Sequence, residues 1–432
     1  MKIAIHTLGC KVNQCDAKVL IAELIKRGYN AFSTHDFSQN ADVFIINTCT
    51  VTHVSDKKSR QMIRRAKKQN PHALIAICGC MAKKSEKITE ADYVFDARNP
   101  DDFLNKIEKI NSIESLFVNS LKISMATKSD VDNKLRSVEN KKSTRAFVKI
   151  QDGCDRFCSY CIVPHVRGAV TSRPLAEIIE ETKLSIAEGV LEVVLTGIQV
   201  AAYGQDTGKL KLADVINEVT SLSGLRRLRL SSIDPWGVDD DFISAVASDL
   251  VCGHFHLSLQ SGCDTTLAKM NRRYTTEAYK NAAERLRKIK PNTALTTDII
   301  VGFPGETDAD FAESIDFVKK MRFAKIHVFE YSPREGTPAA AFPDQVPHDI
   351  KHERGNQMRT LAAELHTDFL QAQIGKTLTV IVEKQRDGAF YVGNSENYCT
   401  VCVKSDKNLT GQICKVNITS SKGDFLHGNT KG

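Results

Sequence analysis

Three short apolar runs near the amino end, Lys2-Ile3-Ala4-Ile5, Asp42-Val43-Phe44-Ile45-Ile46 and Leu74-Ile75-Ala76-Ile77-Cys78, are each followed by a polar stretch of helical character. Unbroken runs of this length are expected of strands buried on both faces. With the amphipathic segments Lys18 to Arg27 and Ser55 to Lys68 between them, they predict an α/β domain with an open parallel sheet over 1–110. Residues 111–144, ending in Asn140-Lys141-Lys142-Ser143-Thr144, mix weak apolar periodicity with charge and predict a linker. From Ala146 the runs recur at Ala146 to Ile150, Glu192 to Leu195, Arg227 to Leu230, Phe255 to Leu259, Leu295 to Val301 and Ile326 to Tyr331. Six βα repeats predict a partial (βα)6 barrel over 145–374. The tail, 375–432, changes character. Thr377 to Glu383 alternates, and Tyr398 to Val403 and Gln412 to Ile418 are short β-like runs broken by Gly and Asn, which predicts a small antiparallel β-barrel.

Composition narrows the class without choosing a function. A chain of 432 residues is long enough for two or three cores. Its net charge of +7 permits a polyanionic partner but equals ordinary surface solvation. Thirteen cysteines, no signal-peptide pattern and no apolar stretch of spanning length argue for a reducing cytoplasm, no membrane, and thiols serving metals.

Chemistry concentrates in two sets of three cysteines. Cys154-Asp155-Arg156-Phe157-Cys158-Ser159-Tyr160-Cys161 is a C-x-x-x-C-x-x-C run. Three thiolates on one loop can hold three irons of a 4Fe-4S cluster and leave the fourth iron open to a small molecule. Zinc is the rival, and it needs a fourth protein ligand, for which His165 is nearby in sequence. The second set, Cys10, Cys49 and Cys80, directly follows the three amino-terminal apolar runs, placing each at a strand carboxyl end where an open α/β sheet forms its functional crevice. A second cluster is one reading; three buried strand-end thiols packing as small hydrophobes is the other.

These motifs resemble the radical S-adenosylmethionine (SAM) methylthiotransferase family, the MiaB, RimO and MtaB type. The resemblance covers nearly the whole chain. It extends to Asp152-Gly153-Cys154, Cys161-Ile162-Val163-Pro164, Arg167-Gly168, Ser172-Arg173-Pro174, Ser258-Leu259-Gln260-Ser261-Gly262, Met270-Asn271-Arg272-Arg273-Tyr274 and Thr297 to Thr307. Gly9-Cys10-Lys11-Val12-Asn13-Gln14 and Asn47 to Thr52 followed by Asp56 to Gln61 are most similar to the MtaB type. Cys15, Ala17, Lys18 and Asp155 depart from the family pattern, none of them at a cluster cysteine. The resemblance implies a radical-SAM barrel with its cluster loop after the first strand and its site at the carboxyl face, and a TRAM-like tail that binds RNA. It implies two 4Fe-4S clusters, on Cys154, Cys158 and Cys161 and on Cys10, Cys49 and Cys80. It also implies SAM as cofactor, transfer RNA as partner, and electron and sulfur donors that the sequence leaves unidentified. The reaction implied is reductive SAM cleavage, activation of carbon 2 of N6-threonylcarbamoyladenosine beside the anticodon, and transfer of a methylthio group. Relatives that modify another adenosine or a ribosomal-protein aspartate, and a non-catalytic iron-sulfur RNA-binding or sensor protein, are the alternatives.

Other residues carry weaker signals. Tyr160, Gly197 after Thr196, Gln260, Asp298 and Gly302 are the candidate SAM contacts, since they lie in the cluster loop or at strand ends, although Gly302 and Gly305 also suit a turn. In the run Lys57, Lys58, Arg60, Arg64, Arg65, Lys67 and Lys68, helical spacing gathers Arg60, Arg64 and Lys67 or Lys68 on one face, a track for phosphates or a solvated surface. Arg226, Arg227 and Arg229 enter a strand and suit RNA less. Cys399 and Cys402 mimic a metal knuckle without a second one, and their spacing places them on opposite faces of a strand. They read as free thiols, as do Cys78, Cys252, Cys263 and Cys414. The alternative for the tail is a generic β appendage that closes the barrel or helps the chain dimerise.

Overall fold

The computed structural model describes residues 1–83, 88, 90–117 and 143–431, so most of the predicted linker lies outside the described residues. The chain divides into two compact units, Met1–Lys141 with Ile162–Gly168, and Lys142–Cys161 with Ala169–Gly432. A short piece directly after the C-x-x-x-C-x-x-C loop therefore belongs to the amino-terminal unit.

That unit is built on a five-stranded sheet, β1 (Lys2–Thr7), β2 (Asn30–Thr34), β3 (Val43–Thr48), β4 (Leu74–Gly79) and β5 (Tyr93–Val94), in the order β2-β1-β3-β4-β5. Every pairing is parallel. Ile3, Ile5 and Ile45 pack on one side with Leu20, Leu24 and Phe103, while Ala4, Phe44, Ile46 and Ile77 pack on the other with Ile63 and Ala66. Cover on both faces explains why these strands read as unbroken apolar runs. The helices Lys11–Lys26 and His53–Gln69 supply the two covers, and the second is capped by the Thr52 hydroxyl, which accepts from the Ser55 amide. The helix Asp101–Phe117 runs on into the segment expected to be linker.

The second unit carries β6 (Arg145–Lys149), the short pair β7 (Gln151–Asp152) and β8 (Thr171–Ser172), then β9 (Glu192–Thr196), β10 (Leu228–Leu230), β11 (His254–His256), β12 (Ala294–Val301) and β13 (Lys325–Glu330). The parallel triplets β6-β9-β10 and β11-β12-β13 are joined by a parallel bridge between Ile233 and Leu257, giving the six-stranded partial barrel. Val148, Val193, Leu195, Leu228, Leu230, Phe255, Leu295, Ile299 and Ile326 enter the core shared with the surrounding helices. Their alternate neighbours, among them Glu192, Arg229, His256, Asp298 and His327, therefore lie on the opposite, concave face.

The tail closes into a five-stranded barrel of β14 (Thr377–Gln385), β15 (Phe390–Ser395), β16 (Thr400–Lys404), β17 (Ile413–Lys422) and β18 (Phe425–Thr430), ordered β14-β15-β16-β18-β17. Four pairings are antiparallel. The β16–β18 pairing that completes closure is parallel, because the β17–β18 hairpin returns alongside β16 in the same direction. Buried arginines tie this barrel to the larger one. Fully buried Glu192 pairs with Arg145 at 2.5 Å, Arg227 at 2.8 Å and Arg229 at 2.9 Å. Arg227 also donates to the carbonyls of Thr379 and Asn394, and Arg229 to those of Ser395 and Glu396. Arg227 and Arg229 are thus structural ties, while neighbouring Arg226 is exposed.

Candidate functional site: two three-cysteine centres

In the amino-terminal unit Cys10, Cys49 and Cys80 follow β1, β3 and β4, which are adjacent in the sheet, so the order of strands alone gathers three residues distant in sequence. Local packing then fixes the rim. Gly9 has φ +96°, and a Cβ there would lie 2.8 Å from the Cys49 Cβ and 3.1 Å from its Sγ, so only glycine lets the two loops approach this closely. The Asn13 amide donates to the carbonyls of Leu8 and Thr48, the Asn47 amide to that of Asn13, and the Ser59 hydroxyl to that of Cys49 while accepting from the Cys49 amide.

Arg167, from the helix Val163–Arg167, is buried against this centre. Its guanidinium donates to Asn13 Oδ1 at 2.5 Å and to Asp16 Oδ2 at 3.1 Å, and Ile162 and Val166 of the same segment pack on Cys80. Burial pushes the Cys49 thiol up and the Cys80 thiol to about 11, although Arg167 donates to the Cys80 sulfur and pulls the other way. Cys80 lies within electrostatic reach of both Cys49 and Cys10. Thiols held neutral by burial become thiolates when a metal supplies the compensating charge. The donor set therefore suits a metal centre, and Arg167 adds a buried cation for an anionic one. Cys15, on the helix Lys11–Lys26, is buried, and Cys78 lies within the sheet core.

In the second unit the cluster loop leaves β7. Gln151 holds its entry, with its side-chain amide donating to the carbonyls of Asp152 and Gly153 while its Oε1 accepts from the Gln199 amide. Phe157 adopts φ 46° and Asn271 φ 57°, and the Asn271 side chain donates to the Phe157 carbonyl at 2.9 Å. The Ser159 amide and hydroxyl are taken by the carbonyls of Met270 and Lys269. Arg272 donates to Cys158 Sγ at 3.4 Å and to Asp234 at 2.5 Å. Burial pushes Cys154 up as well. His165, the candidate fourth zinc ligand, is exposed on its short helix. Among the described residues the one triad of ligand atoms close enough for a single ion is His256, Asp298 and His327, with no cysteine in it.

The candidate SAM contacts fall in three places. Tyr160 packs edge-on to Phe303, beside Met270 and Tyr331. Gly197 stands where a Cβ would meet the Gln151 carbonyl at 2.9 Å, so it serves the loop entry. Gln260, at φ 75°, is stitched to β12 through the Asp298 carbonyl and the Ile300 amide, which brings Gln260 and Asp298 together. Gly302, at φ +67°, donates to Glu306 and is closed over by Lys351. It serves the turn after β12.

Comparison with known proteins decides the family. The model described as "Radical SAM superfamily" matches residues 148–318, and that described as "Uncharacterized protein family UPF0004" matches residues 2–97. The chain is 37% identical over 436 residues to "Threonylcarbamoyladenosine tRNA methylthiotransferase MtaB" of Bacillus subtilis (strain 168), covering 99% of this chain and 95% of the relative. The chain belongs to the radical-SAM methylthiotransferase family. Its cofactors are accordingly SAM and 4Fe-4S. A "tRNA-2-methylthio-N(6)-dimethylallyladenosine synthase" of Clostridium botulinum (strain Loch Maree / Type A3) is 36% identical, covering 98% of this chain and 96% of the relative. The radical SAM methyltransferase TsrM from Kitasatospora setae, solved with cobalamin and a [4Fe-4S] cluster, shares the fold with TM-score 0.56 and 14% identity, over 78% of this chain and 77% of its own.

In this methylthiotransferase the surface expectation changes, while the thiols expected to be free, Cys78, Cys252, Cys263, Cys399, Cys402 and Cys414, are free. The expected phosphate track on His53–Gln69 is largely occupied, since Arg60 and Arg64 pair with Glu90 and Lys67 with Asp92. Lys57, Lys58, Arg65 and Lys68 are exposed. Cys399 joins Val401 and Val403 in the tail-barrel core, which places Cys402 on the other face of the strand. Cys252 lies beside Glu192, and Cys263 beside Asp310. Cys414 is half-buried in the tail barrel. Arg167, Asn13, Ser59 and Arg272 are site residues that the sequence does not single out, although all four lie inside the family-like blocks.

Proposed function

We propose that this methylthiotransferase adds a methylthio group to carbon 2 of N6-threonylcarbamoyladenosine in transfer RNA, with Cys154, Cys158 and Cys161 holding one 4Fe-4S cluster and Cys10, Cys49 and Cys80 a second. The convergence of Cys10, Cys49 and Cys80 from three neighbouring strand ends, around the buried Arg167, carries the two-cluster reading. Full-length similarity to the threonylcarbamoyladenosine enzyme supports the substrate. When bound, the first cluster supplies the electron for SAM cleavage and the second the sulfur to be transferred. The chain contributes the setting. Tyr160, Phe303, Met270 and Tyr331 form an apolar cluster beside the loop that keeps water from reactive species. Arg272, anchored on Asp234, places a positive charge and a donor on the Cys158 sulfur.

We assign SAM contact to the strand-end positions near Tyr160, Gln260 and Asp298, RNA contact to the tail barrel, and action to the cytoplasm. Among the described residues no helix is long and apolar enough to cross a membrane. Partners outside this chain would resupply the electron and the sulfur that the two clusters deliver. Similar identity to a dimethylallyladenosine synthase makes that nucleoside the second candidate. The deciding measurement is mass spectrometry of tRNA nucleosides from a strain lacking the gene, complemented with wild type or Cys158→Ala. Loss of the 2-methylthio-threonylcarbamoyl nucleoside, restored by wild type alone, is the expected result. An unchanged profile removes the substrate assignment.

A further inference from the structure

His256, Asp298 and His327 come from three adjacent parallel strands, β11, β12 and β13, on the concave face of the partial barrel. Their ligand atoms lie within 4.8 Å of one another. The group is built rather than incidental. His256 Nε2 meets Asp298 Oδ2 at 3.2 Å, and its Nδ1 meets Thr296 Oγ1 at 3.0 Å, which in turn meets His254 Nε2 at 3.3 Å. Hydrogen bonds at both ring nitrogens fix the imidazole and aim it at the carboxylate. His327, ring centroid 5.9 Å from that of His256, is exposed. Lys325, also exposed, lies two residues earlier on the same face of β13. Phe329, 43% exposed, lies two residues later, roughly 7 Å further toward the carboxyl end at ordinary strand rise.

Asp298 borders the proposed SAM contacts, its carbonyl accepting from the Gln260 amide, while His256, His327 and Lys325 take no part in the cluster and SAM-cleavage chemistry above. We propose that His256, Asp298, His327 and Lys325 form the subsite that reads the polar substituent on N6 of the substrate adenosine. The inference rests on the substrate reading above and deepens it. A threonylcarbamoyl group carries ureido N–H groups, a hydroxyl and a carboxylate. Asp298 accepts from the N–H or hydroxyl donors, His327 and Lys325 answer the carboxylate, and Phe329 offers a flat apolar face for the base. A dimethylallyl group has no polar atom and would leave this set unpaired on desolvation. A site built to hydrogen-bond a substituent rejects an analogue lacking it far more strongly than an apolar pocket rejects an extra methylene. The direct His256–Asp298 contact favours an organic ligand over an ion, since the pair is already closed by a hydrogen bond.

The test uses the reconstituted enzyme, wild type, His327→Leu and His327→Gln, with tRNA bearing either N6-threonylcarbamoyladenosine or N6-dimethylallyladenosine. His327→Leu is expected to lower kcat/KM for the threonylcarbamoyl tRNA about tenfold to a hundredfold, the loss of one hydrogen bond to a charged group. It should leave tRNA-independent 5′-deoxyadenosine formation unchanged, and shift the preference toward the dimethylallyl tRNA. His327→Gln, which keeps a donor, is expected to retain most activity. Unchanged kcat/KM and selectivity in His327→Leu would overturn the subsite while leaving the substrate reading intact. A wild type that acts only on dimethylallyl tRNA overturns the substrate reading and the subsite with it. Zinc or manganese bound by wild type and lost in His327→Leu would make the triad a metal site instead.

Discussion

At the residue scale Arg167 is the informative position. It sits six places beyond Cys161 in the chain, yet its partners Asn13 and Asp16 are 154 and 151 residues away, so no local pattern could disclose it. The three cysteines were legible because each ends an apolar run, and β topology turns that into proximity. The cation between them is a product of tertiary packing alone. Side-chain exposures of 5% for Arg167 and 7% for Asp16 make this a buried pair, and removing one partner of such a pair costs roughly 3–5 kcal/mol. Arg167→Met should therefore lower stability in urea by about that amount. Beyond stability, it should reduce the iron retained by a chain in which Cys154, Cys158 and Cys161 are alanine, with Arg167→Lys intermediate because it keeps the charge but not the fork of donors. Iron retention equal to wild type would show that Arg167 serves the fold and not the metal centre.

At the scale of elements, the strands that announced themselves are those covered by packing, while the half-polar ones did not. β2, Asn30-Ala31-Phe32-Ser33-Thr34, lies at a sheet edge, and β15 and β18 of the tail each contain Gly and Asn with Ser or Thr among few apolar residues. The arginines entering β10 read as poorly suited to RNA because they enter a strand, but their structural role was not legible because the tail segments that bury them come more than 150 residues later. Glu192 shows what that burial requires. Desolvation alone would raise its carboxyl, but Arg229, Arg227 and Arg145 overcome it and bring the folded value to about 2 from 4.5. A depressed carboxyl stabilises the fold fully above the unfolded value and loses that contribution as pH falls from 4.5 toward 2. The difference corresponds to about 3 kcal/mol. Glu192→Gln is accordingly expected to be destabilised at pH 7, with the gap to wild type narrowing over that acid range, measured by denaturant unfolding of iron-free protein. A gap independent of pH would mean that Glu192 contributes packing and not charge.

For the whole molecule, the ties from Arg227 and Arg229 to Thr379, Asn394, Ser395 and Glu396 make the tail barrel a structural partner of the larger barrel as well as the proposed RNA-binding module. The sequence suggested these as alternatives, and their geometry is compatible with both. Tyr398 strengthens the tie, its ring 4.5 Å from the Arg229 guanidinium and 4.8 Å from the His254 ring, so the tail reaches the concave face two residues from His256. Deleting residues 375–432 would strip carbonyl acceptors from two buried guanidinium groups and uncover that end of the concave face. The truncated chain is therefore expected to unfold at lower temperature and to lose tRNA-independent SAM cleavage, an activity that needs no RNA contact. Substituting the exposed Lys404, Lys407 and Lys415 of the tail by Ala should leave melting temperature and SAM cleavage unchanged, and weaken tRNA binding with a reduced dependence on salt. If truncation instead abolished tRNA binding while sparing both stability and SAM cleavage, the arginine ties would be incidental and the tail a detachable module. The two variants together separate the tail's part in holding the larger barrel from its part in holding the substrate.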